Sequence, residues 1–300
     1  MRTARQLDGI PQRLCQVSLF PGLAEYGLAP LSQTGKGTPA GNSQVVSGRS
    51  PPPGSFSRPP AGSYMAAAGQ FLEAVVNGGE VGMDPHALRR RLVEGPGSAG
   101  ERCRARRWER FAAAFPAAAA MSVIDLGGRV QAWLRAPVRP ASLHIVNLVA
   151  QNGDLPSWIR ADQADACDLP PRILGGGYDL VFSNSVIEHV GGYAQRQRFA
   201  DAVHKLAAGH WVQTPYRYFP VEPHWLFPGF QFLPLAARAE ISRRWPLAPK
   251  VAATREEGVR QTLGVELLSR SEMEFLFPDS AIWAERFVGL PKSLTAVKLV

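Results

Sequence analysis

Several short stretches of this sequence combine acids, amides and glycines where an apolar run is about to end. The first is Asp125-Leu126-Gly127-Gly128, closing the run from Ser122 to Leu126. Paired glycines let backbone approach a ligand closely, and the N-terminus of a following helix can hold a carboxylate or phosphate. The second is Asn147, about twenty residues further on, where a ribose-binding side chain is expected in a nucleotide-type site. The third is Ala164-Asp165-Ala166-Cys167-Asp168-Leu169-Pro170, and the fourth runs Ser183-Asn184-Ser185-Val186-Ile187-Glu188-His189-Val190. A fifth, aromatic and proline-rich, supplies Tyr216, Glu222 and His224. A histidine or carboxylate there would serve as a general base toward an acceptor of high pKa. Plainer roles stand beside these: Glu188 and His189 also suit a helix start, and His224 suits an exposed loop. The 6 histidines show no H-E-x-x-H spacing, so no metal is expected.

Such residues need a rigid frame. Strand-like runs recur at Leu143 to Leu148, around Ile159 to Ala166, at Tyr178 to Ser183 and at His210 to Gln213. Helix-compatible stretches such as Val186 to Leu206 lie between several of them. Nearly continuous apolar strands alternating with helices indicate a mostly parallel, doubly wound α/β sheet covered on both faces. Two closely spaced final runs, Ala281 to Phe287 and Ser293 to Leu299, suit a terminal antiparallel pair. After Thr214 the rhythm breaks into the aromatic stretch, followed by a basic helix-like segment to about Lys250. Upstream, Leu88, Leu92, Trp108, Phe111 and Phe115 stand among eight arginines and predict helices, broken at Gly95 to Gly100, that cover the edge of the domain. A short helix is expected at Ala66 to Val76. Residues 1–64 hold 9 Gly, 9 Pro and 8 Ser with no sustained period, which predicts a disordered tail. The expected organisation is therefore a tail at 1–64, a helical extension and cap at 65–120, and a domain at 121–300 with an insertion at 215–250.

With 300 residues, 45% of them apolar, the chain can bury a sizeable core. No apolar stretch reaches the roughly 18 to 20 residues of a membrane helix, and no signal core follows the first residues. Cys15, Cys103 and Cys167 are too dispersed for a disulfide framework or zinc knuckle, so a reducing cytoplasm is the expected location. The net charge of +8 raises nucleic acid as a partner. Yet residues 111–300 hold 19 basic against 17 acidic groups, and the excess sits in the tail and the arginine-rich helical segment.

In the order Val123-Ile124-Asp125-Leu126-Gly127-Gly128, His144 to Leu148, Asp165 to Pro170, Tyr178 to Val190, His210 to Pro228 and Glu285 to Lys298, the chain resembles the class I S-adenosylmethionine-dependent methyltransferases, in particular the small-molecule type-11 group. The resemblance covers roughly residues 86–300 and implies a Rossmann-like, seven-stranded sheet with an antiparallel C-terminal strand. It implies S-adenosylmethionine as cofactor and a small, partly apolar methyl acceptor. It places Asp125, Gly127 and Gly128 around the methionine part, and Asn147 on the ribose. Asp165 would meet the adenine amino group and the Ala166 N–H a ring nitrogen, with Ser183 and Asn184 beneath the sulfonium. His189 and His224 are the candidate catalytic groups. The aromatic residues after the fifth strand would line an acceptor pocket or lid, or else pack a subdomain core. Two departures stand out: no third spaced glycine follows Gly128, and an amide replaces the usual acid at position 147. They support an alternative, a degenerate fold acting as a non-catalytic binding partner. A dinucleotide-binding reading fares worse, because G-x-G-x-x-G is missing. A nucleic-acid methyltransferase would carry an N/D-P-P-Y/F-type motif in place of Ser183 to Val190.

Overall fold

The computed structural model describes residues 84–300. The expected tail and the helix expected at Ala66 to Val76 lie outside the described residues. Strands β1 (Ser122–Leu126), β2 (Ser142–Asn147), β3 (Ile159–Gln163), β4 (Leu180–Asn184) and β5 (Gly209–Pro215) run parallel. A separate two-stranded ribbon joins β6 (Val221–Glu222) to β7 (Phe227–Pro228). The closing pair is β8 (Ala281–Phe287) and β9 (Leu290–Lys298); β9 runs antiparallel between β5 and β8. The sheet order is β3-β2-β1-β4-β5-β9-β8. This is the expected doubly wound sheet with one reversed strand near its C-terminal edge.

The apolar runs explain which strands lie inside. All residues of β5 are buried, as are all but the first of β1 and the last of β4. Such strands need cover on both faces. Edge strand β3 instead carries Arg160 and Asp162, charges that discourage further pairing. A short helix Pro85–Arg89 that runs on as a π-helical turn Arg90–Glu94 opens the described chain, and the helices after it are α1 (Ala99–Ala114), α2 (Val130–Leu134), α3 (Pro171–Leu174), α4 (Tyr193–Leu206), α5 (Leu235–Arg244), α6 (Arg255–Leu263) and α7 (Arg270–Leu276). On one face, Phe111 of α1 and Trp133 of α2 pack with Phe182 and Trp211 of the sheet. Trp108 lies parallel to Phe182 at 5.4 Å, and Phe111 meets Phe182 edge-on at 5.3 Å, favourable aromatic geometries. On the other face, α4 buries Phe199, Ala200, Val203 and Leu206. That spacing is a helical stripe, and it packs with Met273 and Leu276 of α7.

Several boundaries differ from expectation. Strand β3 stops at Gln163, so Asp165 to Pro170 form a loop. The helix expected from Val186 begins at Tyr193; Ile187–His189 form a separate 3-10 turn, and Gly191 (φ +109°) breaks the path between them. The basic helix after the aromatic stretch ends at Arg244, and α6 follows as an element that sequence reading did not anticipate. Around these helices the chain between β5 and α7 has its own small core, where Trp225 stacks on Phe230 at 4.2 Å beside Ala248, Val265 and Leu267. Among the described residues no helix is long and apolar enough to cross a membrane.

Candidate functional site

Strand order reverses between β1 and β4, and in open α/β sheets the crevice at such a reversal, beyond the carboxyl ends of the strands, is the ligand site. Gly127 leaves β1 with φ +85°, and a Cβ there would run into the methyls of Val186. A Cβ on Gly128 would run into the Asp125 carboxylate. Gly127 is thus required by the close approach of the loop after β4, and Gly128 by the Asp125 carboxylate that packs under the turn. Asp125 is buried, its Oδ2 accepting the Trp133 indole N–H at 2.6 Å while Oδ1 has no hydrogen-bond partner. Burial pushes its carboxyl up to about 7, with the indole hydrogen bond opposing. Asn147, from the end of β2, donates to the carbonyls of Gly127 and Gly128 at 2.9 Å each, and its Oδ1 accepts from the Val149 N–H. Its amide therefore braces the glycine turn. Ser183 donates to the Leu126 carbonyl at 2.9 Å and ties β4 to β1. Asp165 is exposed and accepts the Cys167 N–H, beside buried Ala166. Asn184 accepts from Arg107 of α1 at 2.9 Å, and the same guanidinium reaches Gln213 Oε1 at 3.1 Å. Arg107 was missed in sequence because an arginine in an arginine-rich helix reads as a solvated face.

A second cluster lies past Val186. His189 and His224 bring their Nε2 atoms to 3.2 Å, with rings nearly perpendicular. Nδ1 of His224 lies 2.6 Å from Glu222 Oε1, and Nδ1 of His189 lies 3.2 Å from the Gly264 carbonyl. Glu188 is 1% exposed; Oε2 accepts the Thr214 hydroxyl at 2.9 Å, and Oε1 is without a partner. Burial pushes the Glu188 carboxyl up to about 7, against the pull of His224. Burial and then the charge of His224 push His189 down to about 3. At His224 burial acts downward too, but Glu222 and Glu188 outweigh it and hold the ring above its ordinary value. The exposed-loop role open to His224 in sequence is thus excluded, since it is 7% exposed. Glu222 also accepts the N–H groups of His224 and Trp225, at 2.8 Å each, and Arg89 donates to the His224 carbonyl at 2.9 Å.

Five parallel strands in the order 3-2-1-4-5, a reversed strand beside the fifth, and a glycine turn at the switch point decide the architecture. The fold is that of the class I methyltransferases. No family model and no curated protein matches the sequence. Among solved structures, the chain is similar to a SAM-dependent methyltransferase from Anabaena variabilis at 11% identity and TM-score 0.42, covering 81% of this chain and 97% of that one. It is similar to magnesium protoporphyrin IX methyltransferase from Synechocystis, solved with bound SAH, at 13% identity and TM-score 0.40, covering 73% and 94%. For the N-methyltransferase NodS from Bradyrhizobium japonicum the values are 11% and 0.37, covering 65% and 95%. Likeness this distant says nothing of an acceptor.

In this fold the chain after β5 borders a half-open cavity of about 300 Å³. Its lining includes Trp225 and Phe230, and also Arg217, Glu222, Arg238 and Glu266. The aromatic stretch therefore divides: Trp225 and Phe230 belong to a packed core and show part of their surface to the cavity, whereas Tyr218 and Phe232 stack on each other at the surface.

Proposed function

We propose that this chain is an S-adenosylmethionine-dependent methyltransferase acting on a small molecule. The observation that carries the reading is the convergence of Asp125, Gly127, Gly128, Asn147, Ser183 and Asn184 on strand ends beside the reversal of strand order. One observation fits the cofactor: buried Asp125 keeps a carboxylate oxygen without a partner beside a turn whose two glycines let Val186 and the Asp125 carboxylate close on it. Asp165, exposed at the start of the loop after β3, and Ala166 would take the adenine end. Asn147 would contribute a lone pair to the ribose while its N–H groups remain on the glycine turn. Bound there, the cofactor supplies a methyl group made electrophilic by a positive sulfur, so the protein mainly positions the acceptor and excludes water. Ser183 and Asn184 would form the floor of that space. The cavity lined by Arg217, Arg238, Glu222 and Glu266 beside Trp225 and Phe230 is the proposed acceptor pocket, and its balanced charges, with Arg217 already paired to Glu266 and Glu272, suit a small molecule carrying polar as well as apolar groups. This is a more polar acceptor than the aromatic residues alone suggest. His189 and His224 lie just past Val186, so the cluster would polarise the acceptor next to the glycine turn.

Calorimetric titration with S-adenosylhomocysteine tests the reading. Saturable one-to-one binding that Asp125→Ala abolishes is expected. Absence of saturable binding at millimolar ligand would sink it and leave the non-catalytic binding partner as the better description.

A further inference from the structure

We propose that Glu188, His189 and His224 form a binding site for one divalent metal ion of the zinc type. Each offers a ligand atom, and these atoms all lie within 4.8 Å of one another. The far side of each imidazole is already committed, His189 Nδ1 toward a backbone carbonyl and His224 Nδ1 toward a carboxylate. A carbonyl or carboxylate only accepts, so each ring carries its proton on Nδ1 and turns Nε2 inward. Two inward nitrogens at 3.2 Å need a cation or a shared proton between them. Nitrogen ligands at the usual zinc distance, about 2.0–2.1 Å from one tetrahedral ion, lie ~3.3 Å apart, close to the separation seen here.

The third donor is an independent pointer. Glu188 Oε1 is buried without any partner, although the rest of the carboxylate is fixed by Thr214. A buried carboxylate oxygen left unpaired beside two imidazole nitrogens is a group that a cation would satisfy. Two imidazoles and one carboxylate are a zinc-type set that leaves a coordination position open, whereas magnesium and calcium prefer all-oxygen shells. The supports on the histidines, Glu222 and the Gly264 carbonyl, are the partners that metal-bound histidines carry on their other nitrogen. The frame is built from distant parts of the chain: Arg89 holds the His224 carbonyl, and the Glu266 N–H donates to the Glu188 carbonyl at 2.8 Å. Sequence spacing concealed the set, because His189 and His224 are 35 residues apart. If the methyl-transfer reading also holds, the open position would take an oxygen or nitrogen of the acceptor.

The test needs neither cofactor nor acceptor. Full-length protein is stripped with a chelator and titrated with Co²⁺, with visible absorption as the readout and Zn²⁺ as competitor. One Co²⁺ per chain, displaced by Zn²⁺, is expected. His189→Ala and His224→Ala should abolish the band, and Glu222→Gln should weaken binding about 10 to 100-fold. X-ray absorption of the zinc-loaded wild type reads the ligand set without any variant and should show two imidazoles plus oxygen donors. No bound ion at millimolar Co²⁺, or binding unaltered in both histidine variants, or a spectrum without imidazole, would overturn the site and leave a proton-bridged histidine pair. Metal binding without S-adenosylhomocysteine binding would uphold the site and reject methyl transfer.

Discussion

Asp125 illustrates how burial turns a single residue into a pH-dependent element. Its carboxyl stands at about 7 against 3.8 for a free group, so the folded protein holds that proton more tightly than the unfolded chain. Its contribution to stability is complete below pH 3.8 and is lost as pH rises to about 7, amounting to up to about 4 kcal/mol. Chemical denaturation at pH 5 and pH 8 should therefore show a decline in the wild type that Asp125→Asn flattens. His210 has the opposite sign. Burial, followed by the charges of His204 and Lys298, pushes its ring down from 6.5 to about 4, so stability is lost as pH falls through that window, by about 3 kcal/mol. His210→Gln, whose amide reaches the position of Nε2 that bonds Ser280, should remove that acid sensitivity in the same denaturation series. Gly128→Ala should both lower the melting temperature and weaken S-adenosylhomocysteine binding by about tenfold or more, because the new methyl displaces the buried Asp125 carboxylate from the Trp133 indole. Asp125 and the glycines were legible in the sequence because they end an apolar strand. Glu188 was legible only as a helix-start acid, because burial is a tertiary property.

At the level of elements, α1 is the cover that closes one face of the sheet. Phe111, 1% exposed, touches Phe182 of β4 and Trp211 of β5. Phe111→Ala should cost about 3–5 kcal/mol, read by urea denaturation, since the cavity cannot collapse against a sheet held on both sides. Helix α7 opens with a capping box in which Ser269 and Glu272 satisfy each other's backbone N–H groups. The expected cost of Ser269→Ala is about 1 kcal/mol by the same measurement. Strands β1, β2, β4 and β5 could be read from continuous apolar runs, a pattern that a doubly covered parallel sheet requires. The pattern failed at the edge and outside the sheet. Strand β3 ended early because an edge strand has fewer apolar positions to mark its length. Helix α6, REEGVRQTL, is mostly polar and carries a glycine, so neither periodicity nor composition announced it.

Over the whole molecule, the proposed cofactor site draws on the ends of β1, β2 and β4 and on the loop after β3, elements on both sides of the strand-order reversal. Ligand bound there would stabilise the folded chain by about 2.7 kcal/mol at a hundredfold excess over its dissociation constant. A thermal shift with S-adenosylhomocysteine that falls to about half in Gly128→Ala at the same ligand concentration checks this. The positive charge of the segment before the sheet is also partly spent within the fold: Arg107 bonds Asn184 and Gln213, and Arg110 lies over Trp283 at 5.3 Å. From its residue order alone the chain specified the parallel strands, their helical connections, the terminal antiparallel pair and the acid, amide and glycine ends of the strands. Each of these is a local pattern of polarity. Only the tertiary structure decided that Glu188, His189, Glu222, His224 and Gly264 meet, that Asn147 braces the glycine turn, and that arginines share the cavity with the aromatic residues. These depend on where β5, the ribbon and α6 return over the crevice, a matter of packing between segments whose separation along the chain carries no information about distance.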